Sequence, residues 1–170
     1  MIHWCGTGLS AIPGLRVLIQ AGHPVTVWNR TVKKSQDAVG DLTQQIRPFE
    51  AAALEAALQP GDVIVSMLPG DWHVPLAEMA LAKGANFVSS SYISPEMRAL
   101  NDRAKAAGLA LVNEVGLDPG MDHLMAHHLV EDYRASAACD AENAISFISY
   151  CGGIPKIANP FRYKSSWSPL

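Results

Sequence analysis

The chain has 170 residues, 13 Lys+Arg against 16 Asp+Glu for a formal net charge of −3, and it is 49% hydrophobic and only 17% charged. So much apolar side chain excludes a disordered protein. The slightly acidic balance argues against a nucleic-acid binder, which needs surplus cations to displace condensed counterions. No run approaches about 18 uncharged apolar residues, the length of a membrane span. Met1-Ile2-His3-Trp4 lacks the basic region and apolar stretch of a secretory signal. Cys5, Cys139 and Cys151 are widely spaced and odd in number, which indicates a reducing compartment. A soluble, cytoplasmic protein with no nucleic-acid or membrane partner is expected.

Apolar runs of strand length alternate with segments of helical length. Residues 2–5 predict a strand, broken by Gly6-Thr7-Gly8. Ile12, Leu15, Leu18 and Ile19 then recur at helical spacing until Gly22. Residues 24–28 (PVTVW) read as a second strand, 31–39 as a helix, 45–48 as a weak edge strand and 51–58 as a short Ala-rich helix. The nearly continuous apolar run 62–68 resembles a strand buried on both faces of a parallel sheet. A helix over 74–82, a strand over 86–89, a helix over 95–107 and a strand over 109–112 complete the series. Repeated strand–helix–strand units predict an α/β fold, a doubly wound parallel Rossmann sheet. The rhythm changes after Val112. Met121, Leu124, Met125, His128 and Leu129 form one helical face, 144–150 (AISFISY) reads as a strand, and the remainder is rich in Pro, Ser and aromatics. Residues 1–118 are therefore read as a nucleotide-binding domain, and 119–170 as the start of an incomplete α+β substrate or dimerisation domain.

Gly6-Thr7-Gly8-Leu9-Ser10-Ala11 is a GxGxxA sequence between the first strand and the first helix, where a dinucleotide fold admits pyrophosphate to backbone N–H groups. Gly6 allows the tight turn, Gly8 removes a Cβ from the phosphate path, and Ala11 lets the helix pack on the strand. Pro13 falls in the first helical turn, where its missing N–H costs little. A glycine turn without a ligand is the alternative. An NAD site places Asp or Glu at the end of the second strand, to accept from the ribose 2′-OH. Asn29-Arg30-Thr31 stands there instead, and a guanidinium offers planar, charge-assisted donors to a 2′-phosphate. NADP(H) is thus the expected cofactor; the alternative is that Arg30 is a solvated surface cation. Thr31 can add a hydroxyl and can cap the next helix. Ligands lie outside the carboxyl ends of the strands, so Leu68-Pro69-Gly70, Ser89-Ser90-Ser91-Tyr92 and Gly116-Leu117-Asp118 are expected to line the same crevice.

These loops, with VGLDPGMDH (115–123), SSYISP (90–95), SYCGG (149–153), NPFRYK (159–164), SWSP (166–169) and Asn29-Arg30-Thr31, resemble the saccharopine reductase family, the NADP-dependent, L-glutamate-forming saccharopine dehydrogenases of lysine metabolism. Carboxynorspermidine and homospermidine synthases share the general plan. The resemblance implies that an amino-acid substrate, L-glutamate, condenses with α-aminoadipate semialdehyde and that the imine is reduced by NADPH, or that saccharopine is oxidised in reverse. A homodimer is also expected. Ser165 departs from the aromatic usual before SWSP. Members of the family continue well beyond SWSP, so a fragment or truncated product is expected, and a non-catalytic NADP(H)-binding module is the rival reading.

That chemistry needs an oriented nicotinamide, a pocket without water and a proton donor/acceptor. Asp118 is the first candidate for acid/base work or for holding the cationic amine. Asp before Pro is also the pattern of a helix N-cap followed by Pro at the first helical position. Ser91 and Tyr92 are candidate donors to a substrate carboxylate or the nicotinamide amide, or else strand-end residues packed between domains. Ser90 and Leu117 are placed beside the cofactor with Leu68 and Pro69. Cys151 is either catalytic or a buried structural thiol, and Cys5 is core. Tyr163 and Trp167 either cover the substrate pocket or are packing aromatics. Asp122, His123 and His127 lack the Glu of a zincin and a third ligand of suitable spacing, so no metal is expected. Met121, Met125 and Leu129 are read as ordinary helical core.

Overall fold

The structure is a computed structural model that describes residues 1–150, 157, 158 and 160. Six strands are joined by helical crossovers: β1 (Ile2–Cys5), α1 (Ile12–Gln20), β2 (Val25–Asn29), α2 (Val32–Val39), β3 (Ile46–Pro48), α3 (Ala51–Ala57) and β4 (Val63–Ser66). A 3₁₀ turn at Gly70–Trp72 leads into α4 (His73–Lys83), β5 (Asn86–Ser89), α5 (Pro95–Ala99), α6 (Asn101–Ala107), β6 (Leu111–Val112) and α7 (Met121–Ala135). Every strand pair is parallel and the spatial order is β3-β2-β1-β4-β5-β6, the dinucleotide-binding order. The sheet therefore reverses direction of growth at β1. The register sets Cys5 opposite both Trp28 and Ser66, so the carboxyl ends of β1, β2 and β4 open side by side.

The core lies on both faces of the sheet. Trp4 and Cys5 are neighbours in β1 yet enter different clusters, as do Val27 and Trp28 in β2. Side chains alternate across a strand, so this division follows from the pleat. Leu15 of α1 and Val39 of α2 close one face; Leu54, Leu76, Ala77 and Ala80 of α3 and α4 close the other. Burial pushes the Cys5 thiol pKa far above its ordinary value, which leaves it an inert core residue.

Four local expectations need correction. The helix over 95–107 is two helices, because Leu100 closes α5 with a three-residue turn, its N–H donating to the Met97 carbonyl at 3.1 Å. That turn keeps Met97, Leu100 and Ala104 all buried. The run 62–68 is less enclosed than a strand buried on both faces, since Val63 and Val65 are half-buried. Residues 144–150 form no strand and are exposed; none of the described strands pairs with them, and an unpaired strand leaves its backbone groups to water. Finally, Met121, Met125 and Leu129 are exposed, and α7 buries none of its residues. The chain divides into compact units at His123 and Leu124. Among the described residues no helix is long and apolar enough to cross a membrane.

Candidate functional site: a nucleotide cleft and a polar strand-end cluster

The glycine turn is held from below by side chains. Gly6 has φ +101°, a conformation that costs a residue with a Cβ, and an added Cβ would lie 2.7 Å from the Met67 carbonyl oxygen. Its own carbonyl accepts from Trp4 Nε1 at 2.8 Å, and its N–H donates to the Trp28 carbonyl. Asn29 Nδ2 donates to Thr7 Oγ1 at 2.8 Å, and the Thr7 and Ser35 hydroxyls are hydrogen-bonded to each other at 3.1 Å. Thr7 and Ser35 are buried. Asn29 and Thr7, read from sequence as ligand contacts, thus spend their side chains fastening the loop to the exit of β2. The outer part of the turn is open. Nothing lies within 4 Å of a Cβ built at Gly8, and Leu9 and Ser10 are exposed. Ala11 is buried where α1 meets the sheet. A rigid turn with free space above Gly8 fits a pyrophosphate at a helix N-terminus.

Gly6, Thr7, Gly8, Asn29, Arg30, Leu68 and Pro69 line one cleft of about 460 Å³, together with Lys34, Phe49, Glu50, Ala51, Met67 and Trp72. Arg30 and Lys34 take part in no ion pair among the described residues. Two cations against the single carboxylate of Glu50 leave this wall positive. Lys34 escaped the sequence reading, although it stands four residues after Arg30. Phe49 and Trp72 meet edge to face with ring centroids 5.0 Å apart and give the cleft an aromatic wall of the kind a base packs against. Thr31 precedes α2 but makes no side-chain capping bond, so the capping expectation is not met and its exposed hydroxyl stays outside the helix.

A second cluster occupies the ends of β4, β5 and β6. Tyr92 Oη donates to Asp118 Oδ1 at 2.7 Å, so two of the sequence candidates meet directly. Asp118 is not a helix cap: α7 starts at Met121, and the Gly120 N–H is taken by Asp122 Oδ1. Ser91 is half-buried; its N–H donates to Ser89 Oγ and its carbonyl accepts from Glu114 N–H at 3.1 Å. Glu114 was missed from sequence. It has φ +61°, rare for a residue with a side chain, and its Oε1 accepts from Ile93 N–H at 3.2 Å, fastening the 91–93 loop. Ser90 packs beside Gly116, and Leu117 is 76% exposed. Among the described residues no three metal-ligating side chains converge; His123 lies 3.7 Å from Glu114 and 3.6 Å from Asp122. Cys151, Tyr163 and Trp167, with most of the SYCGG, NPFRYK and SWSP sequences, lie outside the described residues.

Comparison with known proteins identifies relatives of the chain. Residues 2–112 match the saccharopine dehydrogenase NADP binding domain, and 116–170 match the saccharopine dehydrogenase C-terminal domain. The chain is 36% identical over 171 residues to the NADP+, L-glutamate-forming saccharopine dehydrogenase of Pyricularia oryzae, covering 96% of this chain and 37% of that protein. It is 40% identical over 148 residues to the α-aminoadipic semialdehyde synthase of Arabidopsis thaliana, covering 85% of this chain and 14% of that one. The structure of apo saccharopine dehydrogenase (L-Glu forming) from Saccharomyces cerevisiae superposes with a TM-score of 0.69 at 30% identity, over 78% of this chain and 31% of that one. The chain thus spans a little over a third of the fungal relative's length.

Proposed function

Because the chain belongs to the saccharopine dehydrogenase family and carries its NADP-binding domain, we propose that it serves the NADP-dependent interconversion of saccharopine with L-glutamate and α-aminoadipate semialdehyde. The cofactor is NADP(H). It supplies or accepts the hydride at the carbon of the C–N bond that is made or broken. The observation that carries the reading is the cleft itself, a glycine turn open above Gly8 with Arg30 and Lys34 on its wall. In the proposed assignment the N–H groups of the turn face pyrophosphate, and Arg30, aided by Lys34 and the Thr31 hydroxyl, holds the 2′-phosphate. Phe49 and Trp72 flank the adenine, and Leu68 and Pro69 line the path toward the nicotinamide.

The Tyr92–Asp118 pair is assigned to the substrate. An ionised Asp118 attracts the ammonium of glutamate or saccharopine, and Tyr92 donates to the same carboxylate and holds it in place. When the amine attacks the aldehyde, a carbinolamine forms, and loss of water from it gives the imine. In the proposed scheme Asp118 takes a proton from the ammonium before the amine attacks and gives that proton to the departing hydroxyl, which leaves as water from a protonated imine. Ser91 reads an acceptor oxygen of cofactor or substrate, with Ser90 and Leu117 alongside. Cys151 is retained as a third candidate. Residues 1–118 carry the nucleotide in this scheme, and 119–170 begin the part that encloses the substrate and forms a homodimer. The free thiols of Cys5 and Cys139 suit a cytoplasmic location.

The direct test follows NADPH absorbance with L-glutamate plus α-aminoadipate semialdehyde, against imines formed from putrescine or diaminopropane. Oxidation of NADPH with the first pair alone is expected. Turnover of the polyamine imines instead would move the chain to that branch, and NADPH binding without any turnover would leave a nucleotide-binding module.

A further inference from the structure

His73 was not singled out by the sequence, and the proposed chemistry does not use it. It opens α4 directly behind the 3₁₀ turn and is only 6% exposed. Its Nδ1 lies 2.9 Å from Ser66 Oγ, its Nε2 lies 2.8 Å from Ser91 Oγ, and its ring stands edge-on to Phe87 with centroids 6.5 Å apart. One imidazole thus bridges the carboxyl ends of β4 and β5. Burial disfavours the charged ring and lowers its pKa below the ordinary histidine value. The ring is therefore neutral at pH 7, with one N–H and one lone pair.

The two tautomers are not equivalent here. Ser66 is fully buried, and His73 is the only partner of its hydroxyl among the described residues. If Nδ1 carried the proton, Ser66 would accept it and its own O–H would have nowhere to donate. If Nε2 carries the proton, Ser66 donates to Nδ1 and only a lone pair goes unused, which costs less. In that arrangement Ser91 Oγ accepts from Nε2–H, and its own proton points away from the histidine.

We infer that His73 is a positioning residue: by donating to Ser91 Oγ it turns the Ser91 hydroxyl into an outward donor for the carboxamide oxygen of a bound nicotinamide. The inference rests on the NADP(H) reading of the cleft and adds to it a second-layer group that selects which way one hydroxyl faces. Ser91 is the contact, and His73 acts only through it. The backbone of Ser91 is fixed independently by Ser89 and Glu114, so loss of the imidazole frees the hydroxyl without releasing the loop.

A double-mutant cycle on the whole chain tests this, with dissociation constants for NADPH and for 2′-phospho-ADP-ribose, which lacks nicotinamide. Ser91→Ala and His73→Phe are each expected to weaken NADPH binding about fivefold, the effect of one hydrogen bond. The double variant is expected to be no weaker than either single one, and 2′-phospho-ADP-ribose binding is expected to be unchanged throughout. Should His73→Phe fail to fold, His73→Gln, whose amide can still donate to Ser91, is expected to bind NADPH within about twofold of wild type. Additive losses, equal losses for both ligands, a Ser91→Ala variant that binds NADPH normally, or a folded His73→Gln weakened as much as Ser91→Ala would each overturn the inference. A wild-type chain that binds neither ligand would instead overturn the cofactor reading, and this inference with it.

Discussion

Arg30 and Lys34 face the same cleft, and only Glu50 offers a carboxylate in return. An exposed ammonium is worth less than a guanidinium that can bind a phosphate through two donors. Lys34→Ala is therefore expected to weaken NADPH binding about threefold, by about 0.6 kcal/mol, and to leave NADH binding unchanged; titrations at low and moderate salt check this. Asp62, at the opposite end of the strands, is a stability residue. Burial works against its carboxylate, but the Met1 ammonium at 2.8 Å, the Gln59 N–H at 2.9 Å and His3 Nε2 at 3.1 Å outweigh that penalty and lower its pKa. A carboxyl with a lowered folded-state pKa contributes stability above its unfolded-state value, near 4, and loses it as pH falls through the folded-state value. Asp62→Asn is expected to cost about 2 kcal/mol at pH 7 and progressively less below about pH 4. Chemical denaturation of both proteins from pH 7 down to pH 3 measures the difference.

At the scale of the element, the turn between β1 and α1 is proposed to separate folding from binding within three residues. Gly6→Ala is expected to destabilise the fold by about 2 kcal/mol, since its Cβ would meet the Met67 carbonyl in a left-handed backbone. Gly8→Ala meets nothing in the protein, so its thermal midpoint is expected to stay within about 2 °C of wild type while NADPH binding falls at least about tenfold. Calorimetry and titration of the two variants separate these effects; equal stability losses would remove the distinction. The sequence was legible wherever periodicity and punctuation agreed. The observed β5, Asn86–Ser89, coincides with the apolar run, and the edge position of β3 followed from the weakness of its signal. It misled where a decision lay outside the local pattern. Leu100 interrupts the 95–107 helix although the sequence there has no breaker, because three buried side chains must be satisfied together. The apolar spacing of α7 and the β-branched character of 144–150 state only which residues would be buried if a partner were present.

For the whole molecule, the parallel order β3-β2-β1-β4-β5-β6 brings together residues that are distant in sequence. Strand ends at Gly6, Asn29 and Leu68 become one cleft, and those at Ser91 and Asp118 become neighbouring contacts of the second cluster. The motifs announced the first group because glycine spacing and the residue at the end of the second strand have fixed meanings in this fold. They could not announce His73, Glu114 or Lys34. The first two act through hydrogen bonds formed only after β4, β5 and β6 are aligned, and the third adds charge beside an arginine that already explained the site. In the proposed assignment cofactor choice depends on the charge of that wall, which makes paired titrations of NADPH and NADH, on wild type and on Arg30→Ala, the most direct measurement. NADPH is expected to bind wild type at least about tenfold more tightly than NADH, with the preference largely lost in Arg30→Ala. Equal or tighter NADH binding by wild type, or a preference for NADPH that survives the substitution intact, would contradict the account.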